Sequence, residues 1–181
     1  MNEPESIVEI FLQPGEFYFG DCDTRIRTIL GSCVSITMWH PQRRIGGMCH
    51  YMLASNNRSK VTKLDGKYGE DAVMMFLEEA IRHGTDPNEY QFKIFGGGHM
   101  FRSPKETGPC RDRPCEEVLL MCQNVSCRNA NIGRALLKHY GLNVVAEHLG
   151  GHGHRNVIFD IWSGAAWVRQ TPMLNAVAKS A

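Results

Sequence analysis

Over the first fifty residues, apolar positions come in short runs rich in β-branched and aromatic side chains, each bounded by Gly, Pro or polar groups. Residues 7–12, 25–30, 33–39 and 45–53 therefore read as strands. The period then changes. From Tyr68 to His83 the apolar residues Val73, Phe76, Leu77, Ala80 and Ile81 recur at helical spacing, with Gly84 as a stop signal, which predicts a helix that places its methionines in the core and Glu78 and Glu79 toward solvent. A second helix is predicted over residues 128–140, with Ile132, Ala135, Leu136 and His139 or Tyr140 on one face and Gly141 just beyond. Strands resume at 92–95, 142–147, 156–162 and 166–169, while 103–117 reads as a long polar loop. Strands, two helices and more strands predict an α/β fold: a single-domain layered α/β sandwich with mixed or antiparallel sheets and two main helices over residues 1–170, followed by a tail at 171–181.

Length and composition narrow this further. A chain of 181 residues with 43% hydrophobic and 22% charged residues is one ordinary globular domain with a core of its own. Its formal charge of +1, with no long basic run, gives nucleic acid no electrostatic footing. The first nine residues carry Glu3, Glu5 and Glu9 and no Lys or Arg, unlike a secretory leader, and the longest uncharged stretch, residues 28–40, is interrupted by Gly31, Ser32, Ser35 and Thr37. The expectation is a cytoplasmic protein without membrane insertion. There the default state of its seven cysteines is the reduced thiol.

The hairpin between the third and fourth predicted strands carries the chemistry. Pro41 is the second residue of the turn His40-Pro41-Gln42-Arg43, as a type I turn prefers. If Trp39 faces Arg44 across that turn, Val34 falls opposite Cys49 and Met38 opposite Ile45 on an apolar face. Cys33 then falls opposite His50 on the other, more polar face. Directly opposed Cβ atoms lie about 4.5–5.5 Å apart, near enough for an imidazole to share a thiol proton, and an imidazolium beside a thiol would favour the thiolate near neutral pH. Gly31 and Ser32 add a small, flexible approach whose N–H groups could face a developing oxyanion. The same residues also fit a buried thiol and an incidental histidine.

Thr28-Ile29-Leu30-Gly31-Ser32-Cys33-Val34, Gly46-Gly47-Met48-Cys49-His50-Tyr51-Met52-Leu53, Tyr68-Gly69, Lys93-Ile94-Phe95-Gly96-Gly97-Gly98-His99-Met100, Arg128-Asn129, Gly150-Gly151 and Val168-Arg169 together resemble the chemoreceptor glutamine deamidase family, CheD. The blocks span about residues 15–170. The resemblance implies an α/β sandwich and a Cys-His-Thr catalytic group. It further implies hydrolysis of glutamine side-chain amides on methyl-accepting chemotaxis receptors, in some members with methyl-ester hydrolysis as well, and a CheC-type phosphatase as partner. Cys33 takes the nucleophile's place and His50 the base's. The threonine lies five or six residues before the cysteine: five gives Thr28, and six gives Arg27, which has no hydroxyl. Val125-Ser126 stands where the family usually has an Ile-Gly pair.

Other signals are weaker. Cys110, Cys115, Cys122 and Cys127 contain no C-x-x-C pair and specify a zinc site poorly, and His148, His152 and His154 flank a Gly-rich turn that suits exposed histidines better than ligands. Neither a metal nor a cofactor is required by the expected chemistry. Gly96-Gly97-Gly98 follows a strand without a closing Gly-Lys-Ser/Thr, so close backbone packing explains it better than phosphate binding. The rivals to a cysteine amidohydrolase are an adaptor of the same fold that docks on a receptor or phosphatase, and a zinc module built on the late cysteines.

Overall fold

The structure, a computed structural model, describes residues 3–55, 63–100 and 124–172. Among them the elements run β1 (Val8–Phe11), β2 (Phe17–Gly20), β3 (Thr24–Leu30), β4 (Val34–His40), β5 (Ile45–Cys49), α1 (Gly69–Arg82), β6 (Gln91–Gly96), α2 (Val125–His139), β7 (Val144–Leu149), β8 (His154–Asp160) and β9 (Ala165–Thr171). One sheet has the order β1-β3-β8-β9 and the other β2-β5-β4-β6-β7. Parallel pairing of β1 with β3 and of β6 with β7 makes both sheets mixed. The chain thus forms the expected single-domain α/β sandwich, with three layers. The expected loop at 103–117 and residues 173–181 of the expected tail lie outside the described residues.

The strand patterns show why the layers stack. In β3, Thr24, Ile26, Thr28 and Leu30 are buried while Arg25, Arg27 and Ile29 are not, the alternation of a strand with one face on a core. β4 is buried at every position. Its Val34, Ile36 and Met38 pack under the helices with Val73 and Phe76 of α1 and Leu137 of α2. Trp39 faces the second sheet and joins Ile26, Leu30, Val157 and Phe159 in the inter-sheet core. The face of β4 that reads as polar is therefore covered, and Ser35 and Thr37 on it are 0% and 1% exposed.

The β4–β5 register differs from expectation. Trp39 pairs with Gly46 and His40 with Ile45, so the loop is the four residues Pro41 to Arg44. Arg44 adopts the left-handed region at φ 52° and its N–H donates to the His40 carbonyl, which closes the loop one residue later than expected. The pairing slides by two residues. An even slide leaves every side chain on its face, so Cys33 and His50 still share one, but they are diagonal neighbours rather than a directly opposed pair.

Three other expectations are corrected. β2 was not expected: its Phe17-Tyr18-Phe19 run is short and lacks alternation, and each of its residues is half-buried at a sheet edge. Ile81 of α1 is 75% exposed and Met74 37%, because Ala72, Val73, Phe76 and Ala80 set the inward face. The inward face of α2 is likewise rotated from the Ile132–Leu136 side toward Ser126, Asn129, Ala130, Gly133 and Leu137, leaving His139 and Tyr140 exposed. Small residues draw it there: a Cβ on Gly133 would fall 2.3 Å from the Tyr51 hydroxyl. That close approach brings α2 down onto the segment after β5.

Candidate active site

Between β3 and β4 the chain leaves one sheet and enters the other, and Gly31, Ser32 and Cys33 make this crossover. Two backbone bonds from the Gly-rich segment pin it: Gly98 N–H donates to the Gly31 carbonyl at 2.9 Å and Gly97 N–H to the Cys33 carbonyl at 2.8 Å. Gly96 has φ +119°, and a Cβ there would lie 2.3 Å from the Cys33 carbonyl oxygen. These glycines are close-packing residues for the crossover. Cys33 is left half-buried, against the inter-sheet core.

His50 follows β5 and is 1% exposed. Its N–H donates to Glu16 and its carbonyl accepts from Gly15, so the segment before β2 clamps its backbone. Thr28 projects inward from β3 in the facing sheet, and its Oγ1 lies 2.7 Å from His50 Nδ1 and 2.9 Å from the Leu12 carbonyl. The threonine hydroxyl has one hydrogen and a carbonyl can only accept, so that hydrogen goes to Leu12. Thr28 must then accept from an Nδ1–H of His50. This fixes the tautomer and leaves Nε2 with a lone pair, buried and without a hydrogen-bond partner among the described residues.

Burial sets the protonation states. It lowers the His50 pKa from 6.5 to about 4, against a weaker upward pull from the Leu12 carbonyl and the Glu16 carboxylate. Burial raises the Cys33 thiol, against a weaker downward pull from the Ser32 side chain and the cysteine's own backbone. The resting pair is a neutral imidazole and a thiol. Burial thus works against the expected thiolate held by an imidazolium. Cys49 points into the helix-side core, and burial pushes its thiol up to about 12.

The structure thus joins Thr28 to His50 directly and sets Cys33 on the same face. It also adds groups that carry no signal of their own in the sequence: the Leu12 carbonyl, and Asn129 of α2, whose side chain donates to the carbonyls of Ser32 and Met52 at 3.2 and 2.7 Å. Only the block Arg128-Asn129 pointed toward the latter. Cys110, Cys115 and Cys122 lie outside the described residues, and Cys127 is buried with its Sγ 3.7 Å from His99 Nε2. His148 Nδ1 accepts from Arg155 Nε at 2.9 Å. Among the described residues no three His, Cys, Asp or Glu side chains are grouped to hold a metal ion.

Fold and site together define a class: a three-layer α/β protein with a thiol at the crossover between its sheets and a tautomer-fixed imidazole on the same face. Comparison with known proteins narrows the class to one family. A family model described as CheD chemotactic sensory transduction matches residues 52–170. A probable chemoreceptor glutamine deamidase CheD 3 of Dechloromonas aromatica is 46% identical over 91% of this chain and 89% of its own. Deamidases of the same description from Pseudomonas savastanoi pv. phaseolicola and Pseudomonas syringae pv. syringae are 45% and 44% identical, over 100% and 96% of this chain and 94% and 90% of theirs. The chain belongs to the CheD family.

Proposed function

We propose that this protein is a protein-glutamine glutaminase that converts glutamine side chains of chemotaxis receptors to glutamate, with Cys33 as nucleophile, His50 as general acid and base, and Thr28 as the residue that orients His50. The relatives, chemoreceptor glutamine deamidases by description, support the substrate class. The observation that carries the chemistry is the Leu12–Thr28–His50 chain of hydrogen bonds, which leaves Nε2 a buried acceptor on the face that Cys33 shares.

Because both groups rest neutral, proton transfer accompanies attack. His50 Nε2 takes the thiol proton as the sulfur bonds to the carboxamide carbon, and the carbonyl pair moves onto oxygen. The imidazolium so formed is stabilised by Thr28, then returns the proton to nitrogen as the C–N bond breaks and ammonia leaves. A thioester remains. His50 next takes a proton from water as its oxygen attacks the thioester. Collapse of the second tetrahedral intermediate expels the sulfur, which regains its proton, and leaves glutamate. The same steps would cleave a receptor methyl ester, with methanol as leaving group. Incubation with receptor cytoplasmic fragments followed by peptide mass spectrometry tests this reading. Amide-to-acid conversion is expected with the wild type and not with Cys33→Ala, and retention of the wild-type rate in Cys33→Ala would overturn it.

A further inference from the structure

We infer that Asn129 is a positioning residue that sets the orientation of the Ser32–Cys33 peptide, and with it the direction of the Cys33 backbone N–H. The inference deepens the amide-hydrolysis reading above and rests on it. Asn129 sits on α2, outside both sheets, and is 1% exposed. Its Nδ2 has two hydrogens and two acceptors: the Ser32 carbonyl, one residue before Cys33, and the Met52 carbonyl, two residues after His50. One side-chain nitrogen thus ties together the two backbone segments that carry the thiol and the imidazole. The helix is itself anchored there, since the Tyr51 hydroxyl donates to the Asn129 carbonyl at 2.7 Å.

Peptide geometry gives this tie its consequence. In a planar trans peptide the C=O and the following N–H point in opposite directions. A Ser32 carbonyl held toward α2 therefore turns the Cys33 N–H to the opposite side of the peptide, away from the helix. The next carbonyl, that of Cys33, is held by Gly97 N–H at 2.8 Å. With both flanking carbonyls pinned, the Cys33 N–H is aimed before substrate arrives, where it can meet the oxygen that gains charge as the sulfur attacks. Without Asn129 the Ser32 carbonyl loses its side-chain donor, and the peptide is free to rotate its oxygen toward the site. Asp at this position would present acceptors to two carbonyls, and Gln would carry its amide one methylene too far.

The test uses Asn129→Ala and Asn129→Ser, neither of which can span both carbonyls, with Tyr51→Phe as comparator because it removes the neighbouring helix anchor and leaves both carbonyl bonds intact. Each is assayed at a temperature where circular dichroism shows it folded. Loss of one oxyanion donor typically costs 10²- to 10³-fold, so kcat for deamidation should fall about 100-fold in both Asn129 variants with KM little changed. The pH midpoint of Cys33 alkylation should rise as the Cys33 backbone N–H, which favours the thiolate, turns away, and Tyr51→Phe should show neither effect. A folded Asn129 variant with wild-type kcat and an unshifted alkylation midpoint would overturn the inference, as would Tyr51→Phe falling equally far. A wild type that converts no glutamine instead overturns the amide-hydrolysis reading, while the alkylation midpoints still report on Asn129.

Discussion

A single hydroxyl decides which nitrogen of His50 can act. Thr28→Val keeps the β-branched shape and strands the Nδ1 hydrogen in a dry site, freeing the imidazole to switch tautomer. Deamidation should fall on the order of tenfold or more, a share of the 10²- to 10⁴-fold that general acid–base catalysis supplies, with the fold retained by circular dichroism. An unchanged rate would leave Thr28 as structure alone. The His50 pKa of about 4 gives a second expectation, because the base is lost only when it is protonated. The acid limb of kcat/KM should lie near pH 4, and a limb at 6.5 would mean that the imidazole is solvated in the working enzyme. Stability follows the same shift. Between the folded value and the ordinary 6.5 the unfolded chain binds a proton that the folded chain refuses, so the urea midpoint should drop as pH falls from 6.5 toward 4, and drop less in His50→Gln. Cys33 and His50 were legible as candidates because thiol and imidazole announce their chemistry, whereas Thr28 entered through the family resemblance, and the structure sets its hydroxyl against His50. Asn129 was not, since a small polar residue on a helix shows its use only when its two carbonyl partners, 97 and 77 residues away in sequence, are seen beside it.

Among the elements, the pairing of β4 with β5 shows how a sequence reading can misplace a register and still keep a face. The turn was assigned from Pro41, but the left-handed conformation of Arg44 sets the loop, and nothing in an arginine advertises that. Because the slide was by two, Cys33 and His50 stayed together; a slide by one would have set them on opposite sides of the sheet. Helix α2 was legible in extent but not in orientation, since its buried stripe is mostly Ser, Cys, Asn, Ala and Gly, with Leu137 as its large apolar residue. The Gly96-Gly97-Gly98 segment was read correctly as close packing, and it carries the element-scale prediction. Gly96→Ala must place a methyl against the Cys33 carbonyl oxygen with φ in a region that alanine avoids. The expected loss is about 2 kcal/mol or more of unfolding free energy, with activity reduced even in the folded fraction because the crossover has moved. A stable, fully active Gly96→Ala would show that β6 does not hold the crossover in place.

For the whole molecule, three layers explain why the polar-looking face of β4 misled. Alternation reports which residues share a side but not how many layers cover it, and the second sheet is assembled from β1, β3, β8 and β9, strands far apart in sequence. The layering also bears on partners. A glutamine carried on a receptor helix must reach a half-buried thiol at the edge between sheets, so other helix-presenting proteins can compete for the same entrance. A CheC-type phosphatase, if it occupies this entrance, should slow Cys33 alkylation at saturation and inhibit deamidation; unchanged labelling at demonstrated binding would place it elsewhere. The bond between Thr28 and His50 has a last consequence, for biosynthesis. It spans the two sheets, and β3, which supplies Thr28, is flanked by β1 on one side and by the late strand β8 on the other. A ribosome-bound chain that has emerged only through β7 holds the cysteine and the histidine but lacks the strand that completes the threonine's sheet. If the proposed function holds, such a nascent chain should be chemically silent until β8 and β9 dock, so that an unfinished copy converts no glutamine.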